Sequence, residues 1–153
     1  MDLRLQAKIL YIRDNINEIM RDVLGENDHL QDLAIRLNKE QLVNRGVDSN
    51  SKQLGTYAKS YSQVRQAAGL QTGFIDLKFT GKFQDDFIIE DATGDIIFSI
   101  NSENWKRDIL VERLRHRPGF GEDIFGLTKE NLEILKDAMA PYIKLKINAI
   151  LNA

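Results

Sequence analysis

The 153-residue chain has no cysteine, only two histidines, two prolines and one tryptophan. Without cysteine there is no disulfide staple, no thiolate nucleophile and no thiolate metal site, a composition that suits a reducing cytoplasm. The histidines, His29 and His116, stand far apart in no metal-ligand spacing. His116 is flanked by Arg115 and Arg117, which disfavour both a protonated ring and a bound cation. Long apolar runs are also missing. Nothing approaches the roughly 20 residues that span a bilayer, and MDLRLQAKIL mixes acid and base where a secretory signal needs an apolar core. The expectation is a soluble protein.

Charge of one sign is lacking too. Twenty-one basic and 23 acidic side chains leave a net charge of −2, so no global field draws nucleic acid to the chain. The length fits one domain with a real core, and 42% hydrophobic with 29% charged residues is ordinary for a globular protein.

What is present is a strand-like middle between helical ends. Ile75, Leu77 and Phe79 alternate with Asp76 and Lys78 at the two-residue period of a half-buried strand. Phe87, Ile88 and Ile89 begin a second apolar run. Ala92-Thr93-Gly94-Asp95 is turn chemistry, and Ile96, Ile97, Phe98 and Ile100 make a third run. Upstream, residues 3 to about 24 read as one long amphipathic helix capped by Asp2, with Leu5, Ile9, Ile12, Ile16, Ile19 and Val23 recurring at three- and four-residue steps. A second helix from His29 to Asn44 turns Leu30, Leu33, Ala34 and Leu37 inward and ends at Arg45-Gly46. Leu54, Tyr57, Tyr61 and Val64 suggest a short helix that Gly55 weakens. Downstream, a helix follows Ser102 and carries Trp105, Ile109, Leu110 and Leu114, its ring predicted to be buried against the strands. The last helix starts at the N-cap Thr128, with a kink or a junction of two helices expected at Pro141. The pattern predicts a single α+β domain, helical over 1–68, strand-rich over 71–101 and helical over 103–153. Its small antiparallel sheet of three to four strands is covered by the long N-terminal and the C-terminal helix.

The chemistry-bearing residue types form no catalytic set. The acidic pairs Asp85-Asp86, Glu90-Asp91 and Glu122-Asp123 would point to opposite faces of a strand. Thr80-Gly81-Lys82 lacks the run of glycines and the following Ser or Thr of a phosphate loop, because Phe83 comes next. The expectation is therefore no enzyme, no cofactor and no metal. Three stretches remain. Lys106, Arg107, Arg113, Arg115 and Arg117 form a basic run that reads as an ion-paired helix face or as a surface for DNA or an acidic partner. Residues 46–52 are the most loop-like part of the chain, and Asp48, Ser49, Asn50 and Ser51 in it are candidate interface positions, expected to bury little and to add little stability. Tyr57 and Tyr61, one helical turn apart, read as an interface stripe or as core.

Thr80-Gly81-Lys82-Phe83 at the edge of the small sheet, and the turn Ile124-Phe125-Gly126-Leu127-Thr128 that launches the last helix, carry a family resemblance. In this order, after a long N-terminal helix, they resemble the tail-completion (neck, or head-to-tail joining) proteins of long-tailed bacteriophages. The family's proline before Thr-Gly is absent, and Leu127-Thr128 stands where the family has a proline-alanine pair. The resemblance implies a structural virion protein assembled in the host cytoplasm. Like subunits would form a ring between the portal or neck and the tail tube, with DNA passing through and no membrane contact. It makes Thr80, Gly81 and Phe83 fold-defining and residues 46–52 a docking segment. The competing reading is a non-enzymatic interaction module or regulator that contacts nucleic acid through residues 106–117.

Overall fold

The computed structural model describes residues 2–92, 95–100 and 124–153, with residues 91–92 and 95–96 described in backbone only. The helix expected around Trp105, His116, Glu122-Asp123 and the basic run Lys106, Arg107, Arg113, Arg115 and Arg117 lie outside these residues. The elements are α1 (Leu3–Asp14), α2 (Ile16–Gly25), α3 (Asp28–Glu40), α4 (Lys59–Ala67), a single turn α5 (Lys82–Asp85), β1 (Phe87–Ala92), β2 (Asp95–Ile100) and α6 (Lys129–Asn152). The fold is a mixture of helix and antiparallel sheet. None of the described helices is long and apolar enough to cross a membrane.

The expected long first helix is two. Asp2 caps α1 by accepting from the Arg4 N–H at 3.0 Å. At Asn15 the backbone leaves the helical region (φ −116°, ψ 17°), and the Asn15 side-chain amide donates to the Tyr11 carbonyl at 2.8 Å. A side chain that competes for backbone partners in this way ends helices. α2 then buries Ile19, Val23 and Leu24. Asn27 caps α3 through the Leu30 N–H, while Gln31 donates from Nε2 to the Leu24 and Gly25 carbonyls that α2 leaves open.

α3 buries Leu30, Ala34 and Leu37, and Leu33 packs beside them. These side chains meet Val23 and Leu24 of α2 and Leu135 and Met139 of α6 in one core cluster, against which Ile89 and Phe98 of the hairpin also pack. A second cluster lies beyond the end of α3 and joins Leu42, Leu54, Ile75, Phe83, Phe87, Ile100 and Ile124. β1 and β2 pair antiparallel, with Phe87 opposite Ile100 and Ile89 opposite Phe98. One face of the hairpin therefore supplies both clusters. α6 runs as a single helix from Lys129 to Asn152 with Pro141 inside it.

Among the described residues the sheet has two strands rather than three or four, because residues 75–79 are not a strand. Their backbone groups go to side chains and loops instead of a neighbouring strand. Ile75 N–H donates to the Gly55 carbonyl (2.9 Å), Asp76 N–H to Tyr57 Oη (3.2 Å) and Lys78 N–H to Asp76 Oδ1 (2.9 Å). Leu77 has φ +56°, which no strand accommodates. The alternation of Ile75, Leu77 and Phe79 thus accompanies irregular chain, in which Ile75 is buried and Phe79 is 45% exposed. The short helix expected from Leu54 starts only at Lys59, and Leu54 itself is a buried part of the irregular approach to it.

Candidate functional site

The region between α3 and β1 holds most of the residues that the sequence singled out, organised around a buried arginine. Arg65, on α4, is 1% exposed. Its Nη2 donates to both carboxylate oxygens of Asp76 (3.0 and 2.9 Å), its Nη1 to the Lys78 carbonyl (2.6 Å) and its Nε to the Gln71 carbonyl (2.9 Å). The guanidinium carbon lies 4.3 Å from the centre of the Tyr57 ring. Asp76 accepts further bonds from Tyr57 Oη (2.7 Å) and Gln71 Nε2 (2.7 Å). A buried ion pair is tolerated only when the remaining donors and lone pairs are also satisfied, and here they are. Burial pushes the Asp76 carboxyl up. The bonds from Gln71, the Lys78 N–H and Tyr57, with the Arg65 charge, outweigh it and hold the group below the usual carboxylate range. The Tyr57 hydroxyl is pushed up to about 12, by burial first and then by its bond to the Asp76 carboxylate.

This centre fixes the aromatic surface above it. Tyr57 is half-buried, with its ring edge-on to Tyr61 at 5.2 Å, and Tyr61 tilts towards Phe79 at 6.3 Å. Tyr61, Val64 and Phe79 are 41%, 53% and 45% exposed. Of the two tyrosines read as a stripe, one serves the buried network and the other lies in solvent.

Residues 46–52 form a closed loop, tied down more firmly than expected. Gly46 has φ +60°, and a Cβ there would lie 2.3 Å from Phe74 Cδ2 and 2.8 Å from the Ile75 carbonyl oxygen. Val47 and Gln53 form an isolated antiparallel bridge, and Leu54 N–H donates to the Gly46 carbonyl. Asp48 is 2% exposed, and its Oδ1 accepts from the Asn50 and Lys52 N–H groups, each at 2.9 Å. The expectation that this loop buries almost nothing is therefore corrected: Val47 and Asp48 are both interior. Ser49 lies against Gly126 and is partly covered, which leaves Asn50 and Ser51 as the outward positions.

In the two turns that carried the resemblance, Thr80 is exposed, whereas Phe83, Ile124 and Thr128 are buried. Gly81 (φ +87°) opens α5, and Phe83 enters the core edge-on to Phe87. The turn at 124–128 is held by a knot of buried amides that sequence reasoning missed. Asn38 Nδ2 donates to the Ile124 and Gly126 carbonyls (3.0 and 2.9 Å), and Gln41 Nε2 donates to the Gly126 carbonyl (2.8 Å). Gln41 Oε1 accepts from Thr128 N–H (3.0 Å) and Asn131 Nδ2 (3.1 Å). Thr128 caps α6 through the Asn131 N–H, as expected. The signal for the knot was present in the sequence: Asn38 and Gln41 continue the spacing of Leu30, Ala34 and Leu37, so they are polar groups on an inward face.

Among the described residues no group of three or more His, Asp or Glu side chains is placed to hold a metal ion. No protein-family model matches the chain, and neither a curated protein nor a solved structure shows significant similarity to it.

Proposed function

We propose that the chain is a structural virion subunit of the head–tail connector or tail-completion type, assembling with copies of itself into a ring between the portal or neck and the tail tube. The observation that carries this reading is the state of α1. None of its residues is buried, yet Leu3, Leu5, Ile9, Leu10 and Tyr11 are 40–80% exposed. An isolated helix of this length is marginal in water and takes most of its stability from packing an apolar face. A helix that keeps five large apolar side chains in solvent is suited to a partner. The resemblance borne by Thr80-Gly81-Lys82-Phe83 and by residues 124–128 gives the partner class. In this reading no residue is catalytic, neighbouring rings and like subunits are the partners, and DNA makes passing contact.

The test is made in particles. The chain should be recovered from purified virions and localise to the vertex where head meets tail. Particles formed without it should separate into free heads and free tails. Joined, infectious particles lacking the chain would overturn the reading.

A further inference from the structure

Among the described residues two buried side-chain oxygens, Asn38 Oδ1 and Gln84 Oε1, have no hydrogen-bond partner. Asn38 lies inside the amide knot. Gln84, 5% exposed, instead lines an open cleft of about 250 Å³ between the end of α3 and the turn that leads into α5. Its amide is held one way round. Nε2 donates to the Asp76 carbonyl at 3.3 Å, and the reversed amide would set two oxygens against each other, so the acceptor is the end left over. A buried acceptor without a donor is costly to a fold, and in the wall of a cleft it is a place for the N–H of a ligand.

The rest of the lining carries charge of both signs. Lys39 and Glu40 come from the end of α3, and Lys78 and Asp85 from either side of Gly81. None of the four forms an ion pair among the described residues, although opposite charges line the same cleft. The wall between them is mainly apolar, with Val43 in it. One side is also fixed in advance. Lys78 N–H donates to Asp76 Oδ1, and the Lys78 carbonyl accepts from Arg65 Nη1, so the buried ion pair holds that stretch of backbone in place. A site that needs no ordering on binding keeps more of its contact energy as affinity.

We infer that the cleft binds an arginine-like zwitterion, a guanidinium joined through a short apolar chain to a carboxylate. The guanidinium supplies the N–H donor that Gln84 Oε1 lacks and the positive charge that Glu40 and Asp85 attract, with several donors in one planar fork. The carboxylate answers Lys39 and Lys78, and the methylenes between suit the apolar wall at Val43. A bare anion would meet Glu40 and Asp85, and a bare cation would meet Lys39 and Lys78, each at a cost. Size agrees. A cavity of roughly 150 Å³ takes benzene and drug-sized ligands fill roughly 300–1,000 Å³, so about 250 Å³ suits a ligand of one residue. Free arginine also has an α-ammonium beside its carboxylate, which the two lysines would repel. The last residue of a chain has none, so a C-terminal arginine fits best. The inference goes beyond the assembly reading and does not depend on it.

The test is calorimetric titration of the full chain with N-acetyl-L-arginine, which stands for a chain end, and with three relatives. L-arginine adds the α-ammonium, agmatine lacks the carboxylate, and N-acetyl-L-citrulline is neutral where arginine is charged. N-acetyl-L-arginine should bind most tightly, with agmatine and N-acetyl-L-citrulline weaker by about tenfold or more for the lost charge-assisted contact. Glu40, Lys78 and Asp85 are exposed, so E40Q/D85N and K78Q should keep the wild-type melting curve. E40Q/D85N should weaken N-acetyl-L-arginine and leave N-acetyl-L-citrulline unchanged. K78Q should weaken both and leave agmatine unchanged. Q84M, of nearly the same shape, should weaken every probe, and where its lost bond to the Asp76 carbonyl unfolds the chain the two exposed variants carry the test. Tighter binding of L-arginine than of its acetylated form would overturn the chain end. Agmatine binding as tightly as N-acetyl-L-arginine, or affinity that neither exposed variant changes, would overturn the zwitterion in this cleft. So would a wild type that binds none of the probes, and the particle experiment then decides the assembly reading separately.

Discussion

Arg65 Nη2 grips both carboxylate oxygens of Asp76, at 3.0 and 2.9 Å, with side chains only 1% and 4% exposed. The pair lies eleven positions apart in sequence, and the chain between and around them has almost no regular structure once α4 ends. The pair replaces a ladder. The Lys78 and Gln71 carbonyls and the Asp76 and Lys78 N–H groups are all satisfied by the side chains of Arg65, Tyr57 and Asp76. Removing one partner leaves the other charged and buried. Arg65→Ala is expected to cost about 3–5 kcal/mol, more than the reversal of an exposed charge by a wide margin. Urea unfolding of Arg65→Ala beside Lys59→Glu, an exposed charge on the same helix, checks this. A loss below about 1 kcal/mol for Arg65→Ala would show that the pair does not hold the loop.

Gly46 is the second point where one residue fixes the path of the chain. Its φ of +60° costs a side-chain-bearing residue about 1–2 kcal/mol. Its position under Phe74 and the Ile75 carbonyl adds an overpacking cost of about 1–3 kcal/mol. Gly46→Ala should therefore lower the melting temperature markedly, whereas Gly25→Ala, with nothing within 4 Å of the added carbon, should leave it nearly unchanged. Equal melting temperatures for the two variants would contradict the close approach.

The contrast between these sites and the helices explains what could be read in advance. Asp2, the inward stripe of α3 and the Thr128 cap were legible because caps and 3.6-residue periodicity act within one or two turns of the chain. The two paired strands were legible from their apolar runs. Residues 75–79 misled because their alternation is that of a strand, whereas the partners their backbone finds are the side chains of Tyr57, Arg65, Asp76 and Gln84 and the Gly55 carbonyl. Nothing in the sequence around Arg65 marks it as interior. Its burial depends on Asp76 and two distant carbonyls, and no local pattern encodes that. Asn15 shows the opposite limit: one side-chain amide bonded four residues back divides a helix that the apolar stripe alone runs straight through.

The same network sets the expected pH dependence. Asp76 has its carboxyl held below the ordinary range, so its contribution is complete above the unfolded value of about 4 and is lost as pH falls through the lower folded value. Tyr57 is raised to about 12, so its contribution is complete below the unfolded value of about 10 and is lost as pH rises through about 12. Melting temperature should be flat near neutrality and fall on both sides. In Tyr57→Phe the alkaline fall should shrink, and in Asp76→Asn the acid fall should shrink, with both variants less stable at pH 7. An Asp76→Asn protein that keeps the full acid slope would assign that slope to other carboxylates.

The loop at residues 46–52 separates stability from recognition at the level of single positions. Asp48 is interior and accepts two backbone N–H groups, as an N-cap residue does, so Asp48→Ala should cost about 1–2 kcal/mol through the lost bonds. Asn50 lies outward, and its side chain makes no hydrogen bond among the described residues, so Asn50→Ala should stay within about 0.5 kcal/mol of the wild type. If the loop docks on an adjoining ring, Asn50→Arg should leave the melting curve in place and lower the yield of joined particles. Asp48→Ala would lower both together. Melting curves and particle assembly measured on the same preparations distinguish the outcomes. Full assembly by Asn50→Arg would remove the tip of the loop from the docking surface, and a melting loss for Asn50→Ala as large as that for Asp48→Ala would make the tip structural.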